Sequence, residues 1–303
     1  MKSFYALCSW TAVAAFFSLL FSCRKVAEVF KEDPDAIGKF CRIDTFSFGY
    51  PTSQFEQTMV SYNSAGDPEA ILPKFFVLGE QFDDIYFRYD RYHRLRDMIF
   101  VVPGGTNTAA IDQWRRFSYP RPGLVIDSLL NYDGPGVPLG PSFALPSNPP
   151  PYISAVVSGY EQDERGRTVR TWTEFPNPIG PPQPIDTTII AYDRKGNQIR
   201  PGVHYDDKIN IYRTNKVWQL IFQDYSTNNP VSYDTYTTFF TSSDITTYNR
   251  WGLPKQYEET EGMPGYLTVF LYQFSLDPDI QVSYSCDGDS DPESGSLSKT
   301  GGE

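Results

Sequence analysis

TTIIAYDRKGNQIR, the stretch from Thr187 to Arg200, carries the clearest structural signal in this chain. Its first half is β-branched or aromatic apart from Ala191, a composition that favours an extended strand. Asp193 can open a turn with its side-chain acceptor, and Gly196 supplies the positive φ angle that closes such a loop. The stretch therefore predicts a β-hairpin.

An aromatic residue four positions before a glycine recurs along the chain. The frame is complete at Gly66, Gly123 and Gly252. Gly166 keeps the turn but has its aromatic residue further away, at Tyr160, and His93 stands where a further glycine would be. Histidine is among the residues that tolerate left-handed backbone geometry. Because the spacing between turns is irregular, the pattern predicts a meander of related hairpins and not a short-period solenoid.

The composition favours an all-β protein and excludes one class of partner. The 303 residues are 40% hydrophobic and 16% aromatic, and 21 Tyr and 22 Phe against 4 Met favour strands over helices. The 25 Pro and 22 Gly supply many turns. A net charge of −11 argues against the cationic surface that nucleic acid requires, so we expect no nucleic-acid partner.

The first 22 residues resemble a bacterial lipoprotein signal. One early lysine precedes an uncharged apolar run, and the run ends in LFSC, which is similar to a lipobox. Residues 1–22 are therefore predicted to be a lipoprotein signal peptide, and Cys23 is predicted to be lipidated and to anchor the protein in a membrane. An ordinary cleaved signal or a retained membrane anchor is the alternative.

The segment 23–40 is polar and lacks sustained apolar periodicity, so it is predicted to be a tether. Arg24 and Lys25 follow the lipidation site, whereas some related lipoproteins carry an acidic run there that resembles a surface-export signal. The sequence therefore predicts an outer membrane lipoprotein of the cell envelope that faces the periplasm.

Strand and turn signals alternate from residue 41 to residue 285, and this range is predicted to be one all-β domain of hairpins. The proline-rich segment 131–151 breaks the rhythm. It marks either a boundary between two half-sheets or a long loop on one continuous sheet. The apolar run Val217–Phe222 fits a central strand or a short helix. Residues 286–303 are polar and acidic, and are predicted to be a disordered tail.

Short motifs along this domain resemble those of a known group of proteins. They are Cys41-Arg42-Ile43, Tyr62-Asn63-x-x-Gly66-x-Pro68, Tyr89-Asp90 followed by Arg94-Leu95, Tyr192-Asp193-x-x-Gly196-Asn197, and Asn249-x-x-Gly252-Leu253-Pro254. From residue 41 to residue 284 the chain resembles the YD-repeat-like lipoproteins of Bacteroidetes, whose function is unknown. The resemblance implies an antiparallel meander of β-hairpins that forms a strongly curved sheet or open barrel. It supplies no catalytic residue.

Few residues suggest a catalytic or metal-binding site. The two histidines, His93 and His204, have no partner histidine at ligand spacing, so no metal site is predicted. Neighbouring carboxylates occur at Asp83-Asp84, Asp206-Asp207 and Glu258-Glu259. Adjacent residues of a strand point to opposite faces, so solvated turn charges are the main interpretation, and an acid pair assembled from different strands is the alternative. No catalytic residue and no cofactor are predicted.

Cys41 and Cys286 are the cysteines that remain once the signal is removed and Cys23 is lipidated. In an oxidising compartment they are predicted to form a disulfide between the first and last strands, and two separate thiols are the alternative. Trp114, Trp172 and Trp251 are candidate platforms for stacking against a sugar. Their alternative role is packing in the core or in cross-strand pairs.

The sequence thus predicts a non-enzymatic, lipid-anchored protein that acts as a binding or scaffolding module. Its partner would be a protein or a glycan, in addition to the membrane that holds the lipid on Cys23. A carbohydrate-active hydrolase is the alternative function.

Overall fold

The computed structural model describes residues 33–49, 55–73, 83–102, 109–132, 136–139, 144–174, 186–233, 243–259 and 279–286. Within these ranges the protein is mostly β, as the sequence predicts, with one large antiparallel meander sheet of 14 strands. The predicted signal peptide 1–22, the lipidation site Cys23 and the tail beyond Cys286 lie outside the described residues.

The strands are β1 (Cys41–Gly49), β2 (Phe55–Tyr62), β3 (Pro68–Pro73), β4 (Asp84–Tyr89), β5 (Leu95–Val102), β6 (Ala110–Arg121), β7 (Leu124–Asn131), β8 (Val137–Pro138), β9 (Ser154–Gln162), β10 (Thr168–Glu174), β11 (Asp186–Ile189), β12 (Val203–Ile209), β13 (Asn228–Tyr233), β14 (Ser243–Tyr248), β15 (Pro254–Glu259) and β16 (Asp279–Cys286). The described helical elements are two 3-10 helices, Pro34–Lys39 and Ile211–Thr214, and one α-helix, α1 (Lys216–Phe222).

The strands of the large sheet pair in the order β11-β10-β9-β7-β6-β5-β4-β3-β2-β1-β16-β15-β14, with β8 added to β6, while β12 and β13 form a separate pair. The first and last strands, β1 and β16, lie side by side. Closure would require the end strands of the row to meet, and the described strands β11 and β14 do not pair with each other. The sheet is neither closed nor strongly curled, so the expected strongly curved sheet or open barrel is wrong.

The hairpin turns that follow β2, β4, β6, β9, β11 and β14 lie at one end of the sheet, which we call the turn end. Most of these turns share one hydrogen-bond pattern. In the turn after β11, Asp193 Oδ1 accepts from the backbone N–H of Lys195 at 2.8 Å and of Asn197 at 2.9 Å. Asn63, Asp90, Asp163 and Asn249 make the same pair of bonds in their own turns.

These turns close through a residue with positive φ. The angles are +87° at Gly66, +59° at His93, +77° at Gly166, +89° at Gly196 and +80° at Gly252. The turn after β6 is different, because Pro122 and Gly123 form a two-residue connection between the paired residues Arg121 and Leu124, with φ of +71° at Gly123. Asx-type side-chain bonds thus fix the turns of most of the hairpins, in addition to the pairing of their strands.

Tyrosines tie three of the hairpins to the preceding one. Tyr89 donates its hydroxyl to the carbonyl of Pro68 at 2.6 Å, Tyr119 to that of Leu95 at 2.8 Å, and Tyr192 to that of Thr168 at 2.8 Å. Each acceptor lies two residues after the positive-φ residue of an earlier turn. Burial raises the pKa of all three tyrosines above the ordinary value. The aromatic residue of the repeated frame is therefore a structural link between hairpins.

The stretch Thr187–Arg200 pairs less extensively than a full hairpin. Its first strand, β11, pairs with β10, and beyond the turn a single bridge joins Tyr192 and Gln198. Gln198 instead donates to the carbonyl of Gln223 at 2.8 Å. The second half of the predicted hairpin is thus drawn away from the sheet by bonds to residues 203–233, which we call the cap.

The cap covers one face of the sheet with α1. Asn215 caps this helix by accepting from the backbone N–H of Val217 at 2.8 Å, and Gln223 ends it with a left-handed φ of +53°. The helix buries its apolar side chains, and Trp218 meets the ring of Phe87 edge-on at 5.9 Å. The run Val217–Phe222 is therefore the short helix of the two predicted alternatives, because it packs on the sheet as a separate layer.

The described parts of the proline-rich segment 131–151, residues 131–132, 136–139 and 144–151, include residues that lie against the opposite face. Leu139 is buried there in a cluster with Trp114 and Ile99, and the guanidinium of Arg88 donates to the carbonyl of Pro146 at 2.6 Å. Strands β7 and β9, which flank the segment, pair directly from Leu124↔Glu161 to Asn131↔Ser154. The sheet is therefore continuous across this segment.

Part of the predicted tether 23–40 belongs to the fold. Residues Pro34–Lys39 form a 3-10 helix whose Ile37 is fully buried, and Asp35 accepts from Arg213 of the cap at 2.7 Å. A Cβ on Gly38 would lie 2.6 Å from the carbonyl oxygen of Thr214, so glycine permits this approach. The tether prediction is wrong for these six residues because a short apolar pair and a glycine are enough to dock them.

A disulfide joins Cys41 and Cys286 at the turn end. The two residues are directly opposite each other on β1 and β16, and their Cα atoms are 4.0 Å apart. Both are buried beside Ile37 and Leu253. Cys286 is thus the last residue of β16, and the polar tail begins after it.

Candidate ligand-binding cleft

A cleft of about 480 Å³ opens between the turn end and the cap. Its walls come from the turns after β4, β6 and β9 on the side of the sheet and from Asn215–Leu220 on the side of the cap. Asx-type hydrogen bonds hold the turns after β4 and β9, so these bonds fix part of the outline of the cleft.

The floor of the cleft is apolar and aromatic. Leu95, Val125 and Leu220 are buried there, and each of them belongs to the main core cluster. Tyr119 lies half-buried at its base and Tyr225 is buried. The apolar surface that a ligand in this cleft would remove from water belongs to the half-buried Tyr119 and Leu124.

The rim of the cleft is cationic. It carries Arg94, Arg121, Arg165 and Lys216, four of the 26 Lys and Arg residues in the chain, but only two of its 37 Asp and Glu residues. The protein as a whole has a net charge of −11. Positive charge is therefore concentrated locally at the cleft, against the sign of the whole chain.

Two of the four cations are neutralised by neighbours. Arg94 pairs with Asp90 at 2.6 Å and lies 4.1 Å from the centre of the Tyr119 ring, a cation–π contact that covers this face of the ring. Arg121 pairs more loosely with Glu161, at 3.4 Å. Within the described part of the chain, Arg165 and Lys216 form no ion pair.

Each of the two acidic residues of the lining lies beside a basic side chain. The carboxylate of Asp35 accepts from Arg213 at 2.7 Å and from Gln219 at 2.9 Å. Asp67 lies 3.7 Å from His93, measured from Oδ2 to Nδ1. Arg165 and Lys216 are thus the charges of this cleft that remain available to a ligand.

Hydrogen bonds between elements hold the two walls together. The side-chain amide of Asn215 donates to the carbonyl of Gly66 at 3.2 Å, and that of Gln162 donates to the hydroxyl of Tyr225 at 3.5 Å. These bonds join the cap to two different hairpins. The cleft is therefore preformed, which lowers the entropic cost of binding.

The three tryptophans predicted to stack against a sugar lie in different surroundings, all outside the cleft lining. Trp114 is fully buried and donates its indole N–H to Asp97 at 2.9 Å, so it offers no face to a sugar and that interpretation is wrong for it. Trp251 is half-buried and stacks on Phe40 at 6.0 Å. Both side chains therefore have packing roles.

Trp172 is the exception. It pairs with Gly159, where an added Cβ would lie 2.0 Å from the indole ring, so the ring lies flat over the glycine backbone. The next residue, Tyr160, points into the cap-side core, so Gly159 and Trp172 face the opposite side of the sheet. The indole is half-buried, and the guanidinium carbon of Arg170 lies over the ring, 5.9 Å from its centre.

The carboxylate pairs have separate environments. Burial, and then the charges of Asp112 and Asp84, raises the pKa of Asp83 to about 6. Asp206 accepts from the hydroxyl of Tyr248 at 2.5 Å, which joins the cap to the β14–β15 hairpin. The side chains of Glu258 and Glu259 lie outside the described residues.

Sequence reasoning missed two groups of residues. Asp97 is fully buried and accepts from Trp114, from Arg116 at 2.9 Å and from Arg96 at 2.8 Å, but an aspartate in a strand carries no signal of burial. The cleft residues Arg165 and Lys216 were also missed. Nothing in the sequence marks these two exposed cations as parts of one cleft lining.

No protein-family model matches this chain, and no curated protein matches it either. The resemblance to YD-repeat-like lipoproteins therefore stays a prediction. Among the described residues, no helix is both long enough and apolar enough to cross a membrane. Within the same ranges, no group of three or more His, Cys, Asp or Glu side chains has the arrangement of a metal site.

Proposed function

We propose that this protein is a lipid-anchored protein of the cell envelope that binds a partner and does not transform it. The cleft carries the proposal. It has a volume of about 480 Å³, an apolar floor and walls that are already held in place. Ligand pockets in proteins commonly measure roughly 300–1,000 Å³ and are largely formed before the ligand arrives.

The proposed location rests on the predicted lipidation site and on the disulfide. Cys23 would carry the lipid in the outer membrane, and the domain would face the periplasm. The Cys41–Cys286 disulfide supports a site outside the cytoplasm, where thiols are not kept reduced. Labelling of cells with an alkyne fatty acid tests the anchor, because the label should enter the wild-type protein and not the Cys23→Ala variant.

The proposed partner is a glycan or another envelope protein. The test is a glycan array and an envelope pull-down with the full-length protein in detergent micelles. A Leu124→Trp variant fills the cleft, and Leu129→Trp is the matched control because it alters another half-buried leucine of β7 outside the cleft lining. Capture that is lost in Leu124→Trp alone supports the cleft, and equal capture by both variants contradicts it.

Trp172 supports a second binding surface of glycan type. Its half-buried ring lies on the backbone of Gly159, and a sugar would stack on it in place of the guanidinium of Arg170, which lies 5.9 Å from the ring centre. The same glycan array with Trp172→Ala tests it. Signal lost in Trp172→Ala but kept in Leu124→Trp assigns glycan capture to this surface.

A carbohydrate-active hydrolase is the competing function, and the environment of Asp83 favours it. A carboxyl group with a pKa of about 6 beside the carboxylates of Asp84 and Asp112 has the property of a general acid. The test is hydrolysis of a mixed set of chromogenic glycosides by wild type and Asp83→Asn. Turnover that disappears in Asp83→Asn would replace the binding proposal.

A further inference from the structure

The charge of the cleft restricts the chemistry of its ligand. Its rim has twice as many cations as carboxylates, although acidic residues outnumber basic ones in the chain by 37 to 26. The carboxylate of Asp35 is paired with Arg213, and that of Asp67 lies 3.7 Å from His93. An anionic ligand would meet the positive charges of Arg165 and Lys216, whereas a cationic ligand would be repelled by them.

Arg165 and Lys216 stand on opposite sides of the cleft. Arg165 belongs to the turn after β9, and Lys216 is the first residue of α1. The backbone at Arg165 is held by the carboxylate of Asp163, which accepts from the N–H of Arg165 at 3.0 Å. The two side chains are exposed, so an anion between them can be approached from both walls at a low desolvation cost.

The rest of the lining suits a ligand with a hydroxylated, partly apolar body. Tyr119 and Leu124 are half-buried in the lining and supply partly apolar surface, and Gln162 supplies a side-chain amide whose N–H already donates to Tyr225 and whose oxygen can accept. A sugar ring has one apolar face of C–H groups and an edge of hydroxyls, which matches this mixture of apolar surface and an amide acceptor.

We propose that the cleft binds an anionic saccharide, a sugar that carries carboxylate or phosphate groups, with Arg165 and Lys216 as its anion contacts. The proposal rests on the proposed function, because it names the ligand class of the same cleft. Carboxylate and phosphate share the chemistry that these cations recognise, so the experiment includes one probe of each kind.

The experiment is isothermal titration of the full-length protein in detergent micelles. The carboxylate probe is trigalacturonic acid, compared with its methyl ester, which is the same sugar without charge. The phosphate probe is glucose 6-phosphate, compared with glucose. We expect measurable binding of at least one charged probe, a loss of about tenfold in affinity for each cation removed, and further weakening as salt is added.

The variants are Arg165→Ala, Lys216→Ala and the double variant. Lys195→Ala is the matched control, because the N–H of Lys195 bonds to Asp193 in the way that the N–H of Arg165 bonds to Asp163, while Lys195 lies outside the cleft lining. Equal binding of charged and neutral probes overturns the proposal. So does an equal loss of affinity in Lys195→Ala and in the double variant.

The failure of this inference can be told apart from failure of the proposed function. If neither charged probe binds but the cleft-filling Leu124→Trp variant still loses a neutral glycan or a protein partner, the ligand class is wrong and the binding function stands. If the array and the pull-down also show no difference between Leu124→Trp and Leu129→Trp, the binding function of the cleft fails as well.

Discussion

Removal of the Cys41–Cys286 disulfide should cost this protein a large share of its stability. The bridge closes a loop with a sequence separation of 245 residues. The chain-entropy relation gives about 5 kcal/mol for a loop of this length at 25 °C, through the restriction of the unfolded chain. Both cysteines are buried, so replacement by alanine adds only a small packing loss to this entropic term.

The assay is urea unfolding of the full-length protein, followed by fluorescence, for wild type and for Cys41→Ala/Cys286→Ala. We expect the free energy of unfolding to fall by about 5 kcal/mol and the denaturant slope to rise, because the unfolded chain without the bridge exposes more surface. Val282→Ala on β16 is the control. It removes buried methyl groups from the same strand and should lower stability by about 1–3 kcal/mol without a change in slope.

Two results would refute this reasoning. One is a loss below about 1 kcal/mol in the double variant, which would mean that the bridge adds little to the pairing of β1 with β16. The other is an unchanged slope together with a loss equal to that of Val282→Ala, which would assign the whole effect to packing. Wild type unfolded in a reducing agent should behave like the double variant.

Three further predictions concern stability. Asp97→Asn should lower the free energy of unfolding by about 3 kcal/mol in urea titrations, because it removes the charge that two arginines and Trp114 share in the core; a midpoint equal to that of wild type would contradict this. Gly159→Ala should cost about 1–3 kcal/mol and shift tryptophan emission, since the added Cβ displaces the Trp172 ring, and the cost should shrink in a Trp172→Ala background. The raised pKa of Asp83, about 6 against 3.8 in the unfolded chain, stabilises the protonated fold, so stability from this group is present below pH 3.8 and is lost as the pH rises through 6. The free energy of unfolding of Asp83→Asn should therefore exceed that of wild type by about 1–2 kcal/mol more at pH 8 than at pH 4, a figure that is reduced for solvent screening. Parallel curves of melting temperature against pH for the two proteins would contradict this prediction.

Local chemistry explains what could be predicted from the sequence. The turn at Asp193 and Gly196 depends on an acceptor and a positive φ within five residues, and both are legible without the rest of the chain. The antiparallel meander follows from such turns placed in succession. The shape of the sheet does not, because curvature and closure depend on whether distant strands such as β11 and β14 meet.

The errors have a common physical origin in tertiary context. Trp114 has the same local signature as Trp172, and only the partners across the sheet make one of them core and the other half-exposed. Ile37 lies in a polar segment and is buried because Gly38 lets the backbone approach Thr214 of the cap. Val217–Phe222 is too short for periodicity to separate strand from helix.

The candidate cleft could not be predicted from the sequence, because it too depends on tertiary contacts. Its aromatic and cationic residues come from three hairpins and the cap, and each of them alone resembles an ordinary turn or surface residue. The positions that the sequence did mark, such as Gly123 and Gly166, shape the wall of the cleft without supplying its chemistry.

The tyrosine links have a consequence for how such a chain can change in length. Tyr119 and Tyr192 each bond to a single carbonyl just beyond an earlier turn, so the unit that is joined is one hairpin with its predecessor. Among the described strands, β11 and β14 end the row and do not pair with each other, so this row has no circumference to preserve. If a whole hairpin were duplicated, the tyrosine of the new hairpin could bond to a carbonyl of the hairpin before it, and the hairpins beyond it would be displaced along the row. Each hairpin would still interact only with the adjacent ones. The fold is a strip that can be lengthened or shortened by hairpins.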